Sequence, residues 1–162
     1  FDFALWDRRR NRLLIGRDRI GVKPLFVHDD GQRLLFGSEP KALWPALGGR
    51  KPGMCLEAIH HYLTFNYIPA PWTAYEGVRH VMPGTWHRYT RGRHVQTQRW
   101  WSLADQREQD HRFDAWAEEF MALLEDATRI RLRADVPFGA FLSGGVDSSV
   151  AAALIHRAIG DQ

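Results

Sequence analysis

Seven consecutive residues, Ser143-Gly144-Gly145-Val146-Asp147-Ser148-Ser149, carry the clearest chemistry in the sequence. Two adjacent glycines let a backbone approach a ligand closely and turn its N–H groups toward it. The hydroxyls of Ser143, Ser148 and Ser149 add donors, and a helical pattern begins here, so the positive end of a helix faces the same place. The sum is an anion cradle. Charge-assisted hydrogen bonds contribute roughly 1.5–3 kcal/mol each, so a few of them hold a phosphate group at roughly micromolar strength. Asp147 would repel bare phosphates, and its presence is explained if it carries a magnesium ion that bridges to them. The loop is not a Walker A sequence, because no lysine follows the glycines, and it lacks the G-x-G-x-x-G dinucleotide pattern.

The elements that must position this loop can be read on either side of it. Val136 to Leu142 is a compact apolar run that reads as a strand, and Ala151 to Ile159 reads as a helix with Gly160 as its cap. Phe113, Trp116, Phe120, Leu123, Leu124, Ala127 and Ile130 fall on one face of a further helix ending near Asp135. Strand, glycine loop and helix in that order open a parallel α/β sheet. Up to Leu103 the texture differs. Phe1, Phe3 and Leu5 alternate, and Leu13–Arg17, Leu25–His28 and Arg33–Phe36 follow as strands, with a hairpin turn at Asp29-Asp30-Gly31-Gln32. Cys55 to Phe65 reads as a helix, and Thr85 to Gln98 as a second hairpin turning at Arg91-Gly92-Arg93. Short antiparallel strands with covering helices predict a sandwich with helical layers.

Composition bounds the rest. With 162 residues, 44% hydrophobic and 25% charged, the chain is neither disordered, collagenous nor a coiled coil. No apolar run reaches the roughly 18–20 residues of a membrane span, and the opening residues do not read as a signal peptide. The single cysteine, Cys55, excludes an internal disulfide and fits a reducing compartment. Charge is unevenly spread: 16 basic and 8 acidic residues up to Leu103, then 6 basic and 11 acidic from Ala104. That change of sign predicts two modules. The arginines of the basic half are scattered along strands and turns with no basic helical stripe, so no nucleic-acid partner is expected. His60 and His61 match no zinc spacing, and Arg17-Asp18-Arg19 reads as a structural turn. The first residue is Phe1, and the strand before the glycine loop has no second strand to pair with, so an internal fragment of a longer protein is expected.

The loop from Ser143 to Ser149 resembles the pyrophosphate loop of ATP pyrophosphatases, and Asp135-Val136-Pro137-Phe138-Gly139-Ala140-Phe141-Leu142 resembles the segment before it in glutamine-hydrolysing asparagine synthetases. Phe3-Ala4-Leu5-Trp6-Asp7, the run from Gly16 to Leu25, Phe36-Gly37-Ser38-Glu39, Tyr67 to Pro71, Glu76-Gly77-Val78 and Pro83-Gly84 are similar to the class II glutamine amidotransferase domain. Asp2 stands where a small apolar residue is expected.

The resemblance implies a partial αββα sandwich of the N-terminal-nucleophile type over residues 1–103, a linker at 104–112, and the start of a parallel-sheet pyrophosphatase domain over 113–162. It implies a cytoplasmic carbon–nitrogen ligase of asparagine biosynthesis. ATP adenylates the aspartate β-carboxylate with release of pyrophosphate, and ammonia from glutamine displaces AMP. Leu142, Ser143, Gly144, Gly145, Val146, Asp147, Ser148 and Ser149 would bind ATP and its pyrophosphate, with Asp147 on Mg²⁺. The family's nucleophilic cysteine lies upstream, so no catalytic residue falls in this chain, which is expected to be inactive by itself. The implied partners are small molecules (glutamine, aspartate and ATP), without nucleic acid or membrane, and a homodimer stays open. So do a different acceptor carboxylate, on a sugar or a secondary metabolite, and a non-catalytic ATP-binding relative.

Overall fold

The computed structural model describes residues 1–106, 112–137 and 139–160. It divides into two units, Phe1–Arg107 and Glu108–Gln162. The linker expected at 104–112 falls largely on residues 107–111, outside the described residues.

The first unit is α+β, built on two antiparallel sheets. Strands β1 (Asp2–Asp7), β2 (Arg12–Arg17), β6 (Thr85–Thr90) and β7 (Arg93–Arg99) form one sheet in the order β1-β2-β6-β7. Strands β3 (Phe26–Asp29), β4 (Leu34–Gly37) and β5 (Val78–His80) form the other, in the order β4-β3-β5. Alternation decides the packing. Ile15 and Tyr89 from the first sheet meet Val27 of β3, with Leu25 and Val81, in one buried cluster between the sheets. Phe26, Leu43 and Val78 make a second cluster on the opposite face of the three-stranded sheet, closed by Trp44 and Tyr75. Pro40–Leu43 and Pro45–Leu47 are short 3₁₀ turns, each opened by a proline. Helix α1 (Leu56–Phe65) takes Cys55 as its N-cap residue and ends on Asn66 in the left-handed region (φ 60°).

One buried pair binds the two sheets together. Arg17, at the end of β2, donates from Nε to the Lys23 carbonyl (2.8 Å), from Nη2 to Gly21 (2.8 Å) and from Nη1 to Val81 (2.7 Å), just past β5. Asp18 Oδ1 accepts the N–H groups of Ile20 (3.0 Å), Gly21 (2.7 Å) and Val22 (3.3 Å). Its other oxygen lies 3.0 Å from the amino nitrogen of Phe1, and its carbonyl accepts the Gly84 N–H at 2.8 Å. The Arg17-Asp18 turn is therefore structural, as its sequence indicates. Asp2, unexplained by sequence, faces Arg17 across the β1–β2 pair. Burial draws the Arg17 guanidinium below its ordinary value, and Asp18 and then Asp2 offset part of that loss.

In the second unit α2 (Phe113–Arg131) and α3 (Val146–Ile159) are the described helices. The apolar face expected on α2 is largely open: Phe113, Trp116, Phe120, Leu123 and Ile130 are exposed, while Leu124 and Ala127 are half-buried. The strand expected over Val136–Leu142 is not formed by its described residues, and Phe138 lies outside them. A strand exists through its ladder partner, and no described strand lies in this unit. Helix α3 begins five residues before the expected Ala151. Gly160 does cap it, but at φ −64°, a conformation open to any residue. No helix among the described residues is long and apolar enough to cross a membrane.

Burial raises the pKa of Asp18, but the hydrogen bonds from the Phe1 nitrogen and from the N–H groups of Val22, Gly21 and Ile20 overcome it and leave the carboxyl well below its usual range. A folded pKa below the unfolded one gives stability that is full above about pH 4 and lost as pH falls further. Asp18→Asn should therefore cost roughly 1.5–3 kcal/mol at neutral pH, read by urea unfolding on tryptophan fluorescence. Its cost should shrink toward zero in acid, and an equal cost at both pH values would show that the charge is immaterial.

Candidate functional site

The glycine loop is positioned by the first turn of α3. Gly145 is the N-cap residue in extended backbone (φ −80°, ψ 162°), and no side chain caps the helix. The N–H groups of the first turn have no acceptor within the helix, and the helix's positive end adds to them. Gly144 holds φ +82°, where a side chain is strained, and a Cβ there would meet nothing within 4 Å. What Gly144 supplies is backbone direction, which turns the chain sharply ahead of the helix.

The hydroxyls are organised around one carbonyl. Ser148 and Ser149 donate from Oγ to the Gly145 carbonyl at 3.0 and 2.8 Å, and the Ser149 N–H reaches the same oxygen at 3.1 Å. Ser143 Oγ lies 3.0 Å from Ser148 Oγ. Since the Ser148 hydrogen goes to Gly145, Ser143 is the donor of that pair. The three hydroxyl hydrogens are thus turned into the loop, and main-chain N–H groups remain as its outward donors. Residue type by itself gives no indication of where these hydroxyl hydrogens point.

Leu142 and Val146 are 67% and 80% exposed, and Asp147 is exposed beside them. The seven residues from Ser143 to Ser149 are contiguous, so the fold brings all of them together, and Leu142 adjoins them. Asp147 makes no ion pair with the described residues. No cluster of three or more His, Cys, Asp or Glu side chains suited to a metal occurs among the described residues. A single carboxylate beside an anion cradle is nonetheless the donor set that suits Mg²⁺, which takes one or two carboxylates and completes its octahedron with phosphate oxygens and water.

In the first unit, His60 and His61 are ring neighbours at 6.3 Å, and His61 lies against Phe65 and Trp72 at 6.2 and 5.7 Å. His61 thus serves in packing. Cys55 is half-buried, and its N–H is donated to the Ala74 carbonyl at 3.0 Å.

Against known families, residues 1–101 match the glutamine amidotransferase domain, well over half of the chain. The chain belongs to that family. A second match, to asparagine synthase, covers residues 119–159 and so contains most of α2, the glycine loop and all of α3. Among curated relatives of this amidotransferase chain, asparagine synthetase (glutamine-hydrolyzing) 3 of Bacillus subtilis is 36% identical over 95% of the chain and 25% of its own length. Asparagine synthetase (glutamine-hydrolyzing) 1 of the same organism is 30% identical over 92% of the chain and 23% of its own length. Amidase chry2 of Gibberella zeae is 33% identical over 98% and 23%. The chain therefore spans about a quarter of the length of these relatives.

Gly144→Ala should strain the turn by roughly 1–2 kcal/mol. Calorimetry should show affinity for Mg²⁺-ATP falling roughly 5- to 30-fold, with the thermal midpoint of the first unit unchanged. Unaltered affinity would mean that the turn is not what binds the anion.

Proposed function

We propose that this chain belongs to a glutamine-dependent asparagine synthetase. The observation that carries the reading is the order of the two family matches: amidotransferase residues first, then asparagine synthase residues that include the glycine loop. Two antiparallel sheets packed face to face support the partial N-terminal-nucleophile sandwich over 1–103. The loop running directly into α3 supports the pyrophosphatase start over 113–162.

On this reading glutamine is hydrolysed by a nucleophile outside these residues. The acceptor is the β-carboxylate of aspartate: its oxygen attacks the α-phosphorus of ATP, pyrophosphate leaves, and ammonia then displaces AMP at the acyl carbon. The charge that develops is on the departing pyrophosphate. The outward N–H groups of Gly144, Gly145 and the first turn of α3 hold it, and Ser148 and Ser149 keep the Gly145 carbonyl turned away from it. Leu142 would sit near the adenine or ribose. Asp147 would hold Mg²⁺, which neutralises phosphate charge when bound. A cytoplasmic location is part of the same reading, and the single cysteine among these residues fits a reducing compartment.

The fungal relative named an amidase supports a second reading, the same chemistry with a carboxylate other than aspartate as acceptor.

The test uses the whole protein with glutamine, aspartate and ATP. Asparagine and AMP should form in equal amounts. Asp147→Ala should reduce both by roughly 100-fold or more while glutamine hydrolysis persists. No asparagine or AMP from the native protein would indicate a non-catalytic relative, and a variant as active as the native protein would show that Asp147 is not needed. Pyrophosphate exchange stimulated by another carboxylate, and not by aspartate, would favour the second reading.

A further inference from the structure

Arginines that lie some eighty residues apart in sequence meet at one end of the four-stranded sheet. The β1–β2 turn carries Arg8, Arg9 and Arg10, with Arg12 opening β2, and the β6–β7 turn carries Arg91 and Arg93. Because β2 and β6 are neighbours, with Arg12 opposite Thr90, both turns fall at the same end. The Arg91 N–H donates to the Asn11 carbonyl at 3.4 Å and joins them. The tips are set in shape: Asp7 Oδ1 accepts the N–H groups of Arg9 (3.0 Å) and Arg10 (3.1 Å), and Asn11 and Arg91 hold left-handed backbone. Two strand spacings separate the turns, so the arginine rows stand about 10 Å apart.

Among the described residues these six side chains make one ion pair, Arg10 with Asp7 at 3.8 Å. The other five arginines are exposed and have no ion-pair partner among the described residues. Clustered positive charge raises the local potential and draws anions toward it.

We propose that the paired hairpin tips are a docking surface for a nucleic-acid phosphate backbone, bound without sequence preference. The choice of partner follows from what the tips lack. Residues 8–12 and 91–93 are arginine, asparagine and glycine alone, and the apolar groove that Arg10 and Arg12 border, of Phe3, Leu5, Leu14 and Trp86, runs along the sheet face behind the tips. A protein interface needs a buried apolar or aromatic centre, whereas a phosphate chain binds by releasing condensed counterions and needs none. Arginine throughout, with no lysine, suits the two-pronged contact that a phosphate offers. Along the sequence these arginines look scattered; strand pairing gathers them. The surface is independent of the glycine loop, and its failure would leave the amidotransferase reading intact.

The test is fluorescence polarisation of a labelled oligo-uridine strand of about 20 nucleotides against the whole protein. Binding should be roughly micromolar at low salt and weaken roughly 50-fold between about 50 and 200 mM NaCl, as four or so phosphate contacts require. The variant R8S/R9S/R91N/R93S, with asparagine at 91 to respect its backbone, should lose at least tenfold in affinity and most of the salt dependence. Arg50→Ser should leave both unchanged. Absence of binding at low salt, or a variant that binds like the native protein, would overturn the proposal. So would tighter capture by phosphatidylserine vesicles or by polyglutamate than by the oligonucleotide. Should the variant fail to fold, a nearly flat salt response of the native protein would overturn it too.

Discussion

Burying Arg17 is the constraint on which the first unit turns. A guanidinium removed from water must have its donors satisfied or it destabilises whatever holds it. Here three carbonyls do so, and they belong to Gly21, Lys23 and Val81. Two lie in the loop that leads into β3, and the third follows β5, so one side chain from the first sheet fixes both approaches to the second. Asp18 then collects three N–H groups of the same loop, and its carbonyl takes Gly84, the residue before β6. Gly84 has no room for a side chain, since a Cβ would strike the Trp101 carbonyl oxygen. The apolar cluster between the sheets contributes the larger free energy, but apolar contact is non-directional. The buried pair is what selects one arrangement of sheet upon sheet.

This explains which parts of the fold could be read in the sequence. Strands whose alternation spans several residues, such as β1 and β2, and the hairpins announced by Asp29-Asp30-Gly31-Gln32 and Arg91-Gly92-Arg93, depend on local chemistry and were legible. Helix α1 was legible for the same reason, and its end is marked by Asn66. β5 was not. It is three residues long, too short to show a period, and exists because β3 offers it a ladder. The bulge between Arg88 and Tyr89 and the 3₁₀ turns after Glu39 likewise follow from tertiary context. The apolar run at Val136–Leu142 is the opposite case, a local pattern with no partner strand described to complete it.

The candidate site divides in the same way. Two glycines before a helix demand a particular backbone, and backbone demands can be read directly from residue type. The direction of a hydroxyl hydrogen cannot, because it depends on which acceptor comes within reach after folding. The grouping of arginines is hidden in the sequence for a related reason: residues 8–12 and 91–93 are adjacent only once β2 pairs with β6. Charge counted along a chain says little about charge counted over a surface.

The loop's own bonding matters all the more because its surroundings supply little apolar support. No residue of α2 is buried, and Leu154 is the buried residue of α3. A ligand that must be held within about half an ångström needs a rigid cradle, and part of that rigidity lies within the loop itself. It comes from the Gly145 carbonyl, which receives two hydroxyls and the Ser149 N–H. Were Ser148 and Ser149 free to rotate toward a phosphate, the carbonyl would be released and could turn its negative end into the site. Three donors on one oxygen restrain that dipole, so on the proposed reading the serines would favour a bound anion through the group they hold.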